Sequence, residues 1–301
     1  MKELVNLQLM MFLLMLVGLF LRKKDIITAE GKKCLTDLII DVILPANIIK
    51  SFLIEFNYKI LLNFLAIFLI SIGIQLFCTF LSHVLYQKEG SDRRKVLQYG
   101  IICSNAGFLG NPIAEGVFGS MGLSLASIYL IPQRIVMWSA GISYFTESPD
   151  RKTMLKKVIT HPCIIAAILG IILMISQITL PDCVENTITS LSNCCTAISM
   201  VVIGTILSDV DMKSMADKTV LSYTVLRLIL IPAVVYVACR MLQVDSLITG
   251  VSTLLAAMPA GATTAILASK YDGDAIFATK CVVFSTVMSL VSTFIWSVIL
   301  L

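Results

Sequence analysis

Charge is scarce in this chain, and the scarcity decides its solvent. Only 14% of its 301 residues are Asp, Glu, Lys or Arg while 57% are hydrophobic, whereas globular domains run near a quarter charged and half apolar. One soluble core cannot hide that much apolar surface, so the bilayer is the implied solvent. Histidine is scarcer still: His83 and His161 are the only two. Neither has metal-ligand company, and His161, just before Pro162, reads as a surface or capping group, so no metal or cofactor is expected. The sequence has no GxxxxGK[ST] loop, which excludes that route to a nucleotide-driven pump. Its serines and Cys103 lack a histidine-based constellation, which argues against an enzyme. No CxxC occurs among the nine cysteines. Cys78, Cys103, Cys163, Cys194, Cys195, Cys239 and Cys281 fall in apolar segments and read as small buried hydrophobes rather than a disulfide framework.

Long apolar runs fill the chain instead. At roughly 20 residues per crossing, spans are predicted at about 4–21, 35–53, 59–85, 96–118, 121–145, 158–179, 187–207, 219–240, 247–268 and 276–300. The opening MKELVNLQLMMFLLMLVGLFLRKK has no small-residue cleavage site and ends on a basic stop, so it reads as the first span rather than a signal peptide. The net charge of +4 resides in short loops and not on one helix face, which points to topology rather than nucleic acid. Sixteen of the 23 basic residues fall in alternate loops, among them Arg22, Lys23, Arg93, Arg94, Arg151, Lys156, Lys213 and Lys270. The positive-inside rule makes those loops cytoplasmic and both termini extracytoplasmic. The most polar central connection, 146–157, is a cytoplasmic linker that divides the chain into five spans over 1–145 and five over 158–301. An odd number per half forces opposite orientations, the plan of inverted repeats in secondary transporters.

Two spans carry helix breakers near mid-depth. Span 4 reads VLQYGIICSNAGFLGNPIAEGVF, with Gly107, Gly110, Asn111 and Pro112 near its middle; proline removes a donor and clashes with the preceding turn, and glycine favours non-helical backbone. Asn111–Pro112 has the form of a fresh helix start, asparagine as cap and proline in the first turn. Span 9, fourth of its half, carries Pro259, Gly261, Thr263 and Thr264 at the corresponding depth, and either threonine is a candidate cap. Matched breaks in opposed halves point to a binding site. Free amides at two half-helix starts facing one point favour an anion such as a carboxylate.

These same residues resemble the auxin efflux carrier family, which includes bacterial malonate and malate permeases. The resemblance rests on LPANIIKSF at 44–52, SNAGFLGNPI at 104–113, ITHPCIIAAILGI at 159–171, ISMVVIGTIL at 198–207, RLILIPAVV at 227–235 and AAMPAGATTAILASKYDGD at 256–274, in order along the chain. It implies an all-α polytopic membrane protein of ten transmembrane helices, two inverted five-helix repeats with helices 4 and 9 broken and crossed. Spans 3–5 and 8–10 would form a transport domain that moves, elevator-like, past a scaffold of spans 1, 2, 6 and 7, through which members can form homodimers. The family's binding asparagine maps to Asn105, and its prolines to Pro112 and Pro259. The short central loop departs from the plant carriers and weakens any inference to auxin or to their regulation.

Ionisable residues inside spans are costly and usually functional or paired. Arg134, beside Gln133 in span 5, has two uses open: offsetting a substrate carboxylate or pairing with Glu115. Asp37 and Asp41 share a helix face near the start of span 2 and read as structural; Arg227, ahead of Pro232, reads as a structural tie. The expected function is therefore a cell-membrane secondary transporter or facilitator of a small organic anion, with Asn105, Gly107, Gly110, Asn111, Pro112, Pro259, Gly261, Thr263, Thr264 and Arg134 as candidate substrate contacts. A receptor or scaffold that binds a ligand at the crossing without moving it is the alternative. Coupling to protons on Asp41 or another carboxylate, to sodium on the unwound carbonyls, or to no ion stays open.

Overall fold

A computed structural model of the protein describes residues 2–138, 140–145, 151–208, 217–271 and 273–301. Among them the chain is helical throughout, without a strand. In order, the helices are α1 Lys2–Lys23, α2 Ala29–Leu38, α3 Leu44–Ser51, α4 Tyr58–Val84, α5 Ser91–Ile102, α6 Asn111–Trp138, α7 Ala140–Ser143 and α8 Arg151–Ile159. They continue with α9 Pro162–Ser176, α10 Asp182–Asn193, α11 Cys195–Ser208, α12 Lys218–Val225, α13 Ile231–Met241, α14 Ser246–Ala256, α15 Thr263–Lys270 and α16 Ala275–Leu300.

Six helical stretches among the described residues are long and apolar enough to cross a membrane: Val5–Lys23, Tyr58–Val84, Ala106–Met137, Asp182–Ile206, Lys218–Met241 and Ala275–Leu300. The remaining expected spans do not appear as separate stretches of that kind. Pro162–Ser176 and Ser246–Ala256 are apolar but short. Ala106–Met137 runs through Gly119, whose backbone is non-helical at φ 68° and ψ −164°, in the left-handed range that only glycine adopts freely. That glycine separates what the sequence reads as spans 4 and 5. Of the linker, 146–150 and also the topology residue Lys213 lie outside the described residues, while 151–159 forms α8 rather than an open loop.

Proline sets the local geometry at three places. Ile39–Ile43, Ala106–Gly110 and Leu226–Leu230 form single π turns, each followed within two residues by Pro45, Pro112 or Pro232. The residue ahead of each proline donates five residues back: Leu44 to Ile39, Asn111 to Ala106 and Ile231 to Leu226. A ring that clashes with the carbonyl four residues back, and brings no N–H, is accommodated by widening that turn.

Packing sorts the helices into two groups. In one, α1 lies along α11 while α3 packs on α9 and α10; in the other, α4, α5, α6, α13, α14 and α16 enclose the broken segments. Gly18 and Gly204 permit the first pairing: a Cβ on Gly18 would collide with the Val201 backbone, and one on Gly204 with that of Met15. Small residues at such contacts let backbones approach in a bilayer, where apolar helices gain nothing from leaving lipid. Leu9, Leu13, Leu65, Leu69, Leu76, Ile168 and Ile172 are exposed, a belt suited to acyl chains. Six cysteines of the seven expected to be buried are so; Cys194, at the α10–α11 junction, is exposed instead.

Candidate functional site

The two broken segments meet through their backbones. Between α5 and the Ala106–Gly110 turn, and between α14 and α15, the chain leaves the helix, and Ser104 and Ala260 form an isolated antiparallel bridge. The Asn105 N–H donates to Pro259 O at 2.8 Å and the Gly261 N–H to Cys103 O at 3.2 Å. Ala260 N–H donates to Ser285 Oγ of α16 at 3.2 Å, and that hydroxyl in turn donates to Cys281 O at 2.6 Å. Gln133 on α6 closes the arrangement: its Nε2 donates to Ser104 O at 2.8 Å and to Ser104 Oγ at 3.2 Å. Non-helical backbone at membrane depth has to be buried in protein or to line a cavity, and these bonds satisfy the bridge itself.

Beyond the bridge, each segment restarts as a helix with its first amides free. On one side Leu109 and Gly110 donate to Asn105 O, so Ala106, Gly107 and Phe108 have N–H groups without a backbone acceptor among the described residues. On the other, Thr264 donates to Gly261 O, and Ala265 and Ile266 to Ala262 O, leaving the amides of Ala262 and Thr263. Unpaired amides at helix starts concentrate partial positive charge. Both starts line one cavity of about 190 Å³, formed by Ser104, Asn105, Gly107, Phe108, Gly261, Ala262 and Thr263 with Arg134 from α6. Its far wall comes from the other helix group, chiefly Ile40, Leu44, Val202, Ile203 and Ile206, with Thr36, His161 and Cys163.

Arg134 is the decisive side chain. It is 7% exposed, and it has no hydrogen bond or ion pair among the described residues. Of the described residues, Glu115 does not pair with it: Asn47 Nδ2 donates to Glu115 Oε2 at 3.1 Å and to Ser192 Oγ at 2.9 Å. Gly107 makes room for the guanidinium, since a Cβ there would lie 3.3 Å from Arg134 Nη2. A buried guanidinium without a counter-ion is costly unless an anion completes it. Arg227 contrasts with it. At 3% exposed it donates to Ile101 O at 3.5 Å, a carbonyl at the C-terminal end of α5. There the helix dipole favours a cation, which is the structural tie expected of it.

Of the ten candidate contacts, Asn105, Gly107, Gly261, Thr263 and Arg134 line the cavity. Gly110, Asn111, Pro112, Pro259 and Thr264 do not. Gly110 marks the close crossing, where a Cβ would lie 2.7 Å from Leu255 Cδ2. Pro259 contributes its carbonyl to the bridge, and Pro112 follows the π turn. Asn111 is not a helix cap: the restart comes a turn earlier, and its fully buried amide has no partner on either polar atom. Neither threonine caps α15, whose N-cap position is Ala262; Thr263 and Thr264 are its first two residues, and the Thr264 hydroxyl is buried and unpaired. Asp37 and Asp41 are exposed, away from the cavity. Sequence reading missed the cavity roles of Thr36 and His161. His161 caps α9, as expected, with Nδ1 accepting the Cys163 N–H at 3.3 Å, so the neutral ring carries its proton on Nε2.

Helical stretches of membrane-crossing length, two interrupted segments stitched at their breaks and a polar cavity at the stitch are the architecture of a multi-pass membrane transporter. The chain belongs to the family described as "Membrane transport protein", whose model matches residues 4–297, the auxin efflux carrier family of the resemblance. It is similar to an uncharacterized transporter of Methanothermobacter thermautotrophicus, 29% identical over 297 residues with 95% of each chain covered. It is likewise similar to an uncharacterized transporter of Methanocaldococcus jannaschii, 26% identical over 303 residues with 97% of each covered. These relationships make the chain a transporter and not an enzyme.

Proposed function

We propose that this chain is a secondary transporter or facilitator of a small organic anion of the carboxylate class, which binds at the crossing. The observation that carries the reading is Arg134, buried without a partner among the described residues, on the cavity that Gly107, Phe108, Ala262 and Thr263, with their free amides, also line. A carboxylate would take the guanidinium in a charge-assisted pair and the amides in hydrogen bonds. Asn105 and Thr263 supply side-chain contacts, while Gly107 and Gly261 let backbone approach the guest.

The reading includes ten spans in two inverted halves, 1–145 and 158–301, with both termini extracytoplasmic in a cell membrane. The cavity lies toward the basic loops, since Thr36, Met137, His161 and Ile206 sit near the helix ends that lead to them. The opposite end is held shut by Asn47, Glu115 and Ser192. This conformer is thus the inward-facing state, and the α4–α6 and α12–α16 group is the moving body of an elevator. The other group is the scaffold, and the exposed apolar belt on it is the surface for a homodimer. Sodium as coupling ion finds support in the buried, unpaired oxygens of Asn111 and Thr264 beside the crossing. Protons find none in the exposed Asp37 and Asp41.

Purified protein in liposomes, assayed for uptake and exchange with a panel of mono- and dicarboxylates, tests the reading, with empty liposomes and Arg134→Gln as controls. Saturable flux of at least one anion that depends on Arg134 is expected. Folded protein that moves none of them overturns the carrier, and tight binding without flux leaves a receptor in its place. Imposed proton, sodium and voltage gradients then separate the coupling modes.

A further inference from the structure

The charge inventory of the cavity narrows the cargo. Arg134 is the sole Lys, Arg, Asp or Glu among its lining residues. The other buried arginine, Arg227, points its guanidinium at Ile101 O behind the α5 break and does not reach the cavity. Lys50 is spent on Asn193 Oδ1 at the opposite end. One fixed positive charge matches one negative charge.

The charged donor and the free amides are confined to one side. Arg134, Asn105 and the amides of Gly107, Phe108, Ala262 and Thr263 surround the crossing, whereas the facing wall is Ile40, Leu44, Val202, Ile203 and Ile206. The polar residues on that wall are occupied. Thr36 Oγ1 donates to Lys32 O at 2.8 Å, Cys163 Sγ lies 3.9 Å from Ile40 O and His161 Nδ1 accepts from Cys163. That leaves the His161 Nε2–H as a single neutral donor, which can hydrogen-bond a second anionic group but not neutralise it. A carboxylate pressed on such a wall forfeits its hydration for a single neutral hydrogen bond, whereas an alkyl or aryl body gains from the same contact. The volume, about 190 Å³, lies below the roughly 300–1,000 Å³ of pockets for drug-sized ligands, so the body is short.

We infer that the cargo is a small amphipathic monoanion, its single carboxylate at the crossing and its apolar body against Leu44, Val202 and Ile203, and that dicarboxylates are rejected. This rests on the reading of the cavity as an anion site. It distinguishes this chain from a carrier of malonate-type dianions by counting charges, not by likeness.

Hexanoate and adipate test it, being six-carbon acids that differ by one carboxylate. Ligand-induced thermal stabilisation of the purified wild-type protein and of Arg134→Gln is measured at pH 7 across a concentration series, a readout untouched by the passive leak of weak acids through bilayers. Hexanoate is expected to stabilise the wild type at concentrations about tenfold or more below those adipate requires, and to lose that effect in Arg134→Gln. Ile206→Lys, which sets a second cation on the half-buried part of the wall, is expected to shift the preference toward adipate. Adipate matching or exceeding hexanoate on the wild type, with both effects lost in Arg134→Gln, overturns the monoanion assignment and leaves the anion carrier intact. No stabilisation by either acid, together with no flux of any anion in liposomes, overturns the carrier reading itself.

Discussion

Removing the charge of Arg134 separates its role in binding from any role in folding. Among the described residues the guanidinium has no hydrogen bond or ion pair to lose, so Arg134→Gln strands no partner and removes an uncompensated buried charge. The folded protein should hold its melting temperature or gain a degree or two. Binding should behave oppositely. A hydrogen bond to a charged group contributes about 1.5–3 kcal/mol, and at 1.4 kcal/mol per tenfold in affinity the loss of one such interaction weakens the anion by about 10- to 150-fold. Arg134→Lys keeps the charge but not the planar fork and should fall between the two. The assay is concentration-dependent uptake into liposomes from matched amounts of folded protein, with melting temperatures taken on the same preparations. Unchanged half-saturation in Arg134→Gln, or a melting temperature lowered by several degrees, would show that the guanidinium has a structural partner and refute the reasoning.

Other perturbations probe the crossing and its frame. Gly110→Val places a branched side chain where even a Cβ would lie 2.7 Å from Leu255 Cδ2; overpacking of this kind costs about 1–3 kcal/mol, to be read as a lower melting temperature and lost flux. Cysteines replacing Asn47 and Glu115, in a background freed of the nine native ones, should arrest transport when cross-linked and restore it when reduced; unimpeded flux across the cross-link would exclude relative movement of the two helix groups there. Arg93 bridges Asp217 at 3.1 Å and Asp274 at 3.4 Å, the N-caps of α12 and α16, with its guanidinium 4.7 Å above the Phe277 ring. Being half-exposed, it should contribute no more than about 1 kcal/mol, so Arg93→Ala is expected to lower the melting temperature slightly, with salt reducing the difference.

The interruption of the two spans was legible because glycine and proline announce it, but its location was not. Pro112 suggested a restart at Asn111, yet the π turn at Ala106–Gly110 absorbs the proline and moves the true break to Cys103–Asn105. No residue of that triplet is a strong breaker. It leaves the helix because Pro259, Gly261 and Gln133 offer partners for its backbone, a tertiary cause that local propensity does not contain. The expected threonine caps failed for a similar reason: α15 starts at Thr263, placing the two hydroxyls one and two positions too late. Arg134 could be singled out from its cost in a membrane, whereas the contact of Asn47 with Glu115 could not. The far wall carried no signal at all, since Ile40, Leu44, Val202 and Ile203 look like any other apolar residue of a span.

The bridge between Ser104 and Ala260 also constrains how the protein is made. The groups that satisfy Cys103 and Asn105 lie more than 150 residues later in the chain, at Pro259 and Gly261. A ribosome adding about 5–20 residues per second leaves the first half waiting roughly ten seconds or more with unpaired backbone at bilayer depth. During that interval the nascent segment is open to water, to lipid headgroups or to the machinery that inserts and inspects membrane helices. A chain that ends before the second break has no cavity to form and an unsatisfied strand in its place, which makes it a substrate for disposal rather than half a transporter.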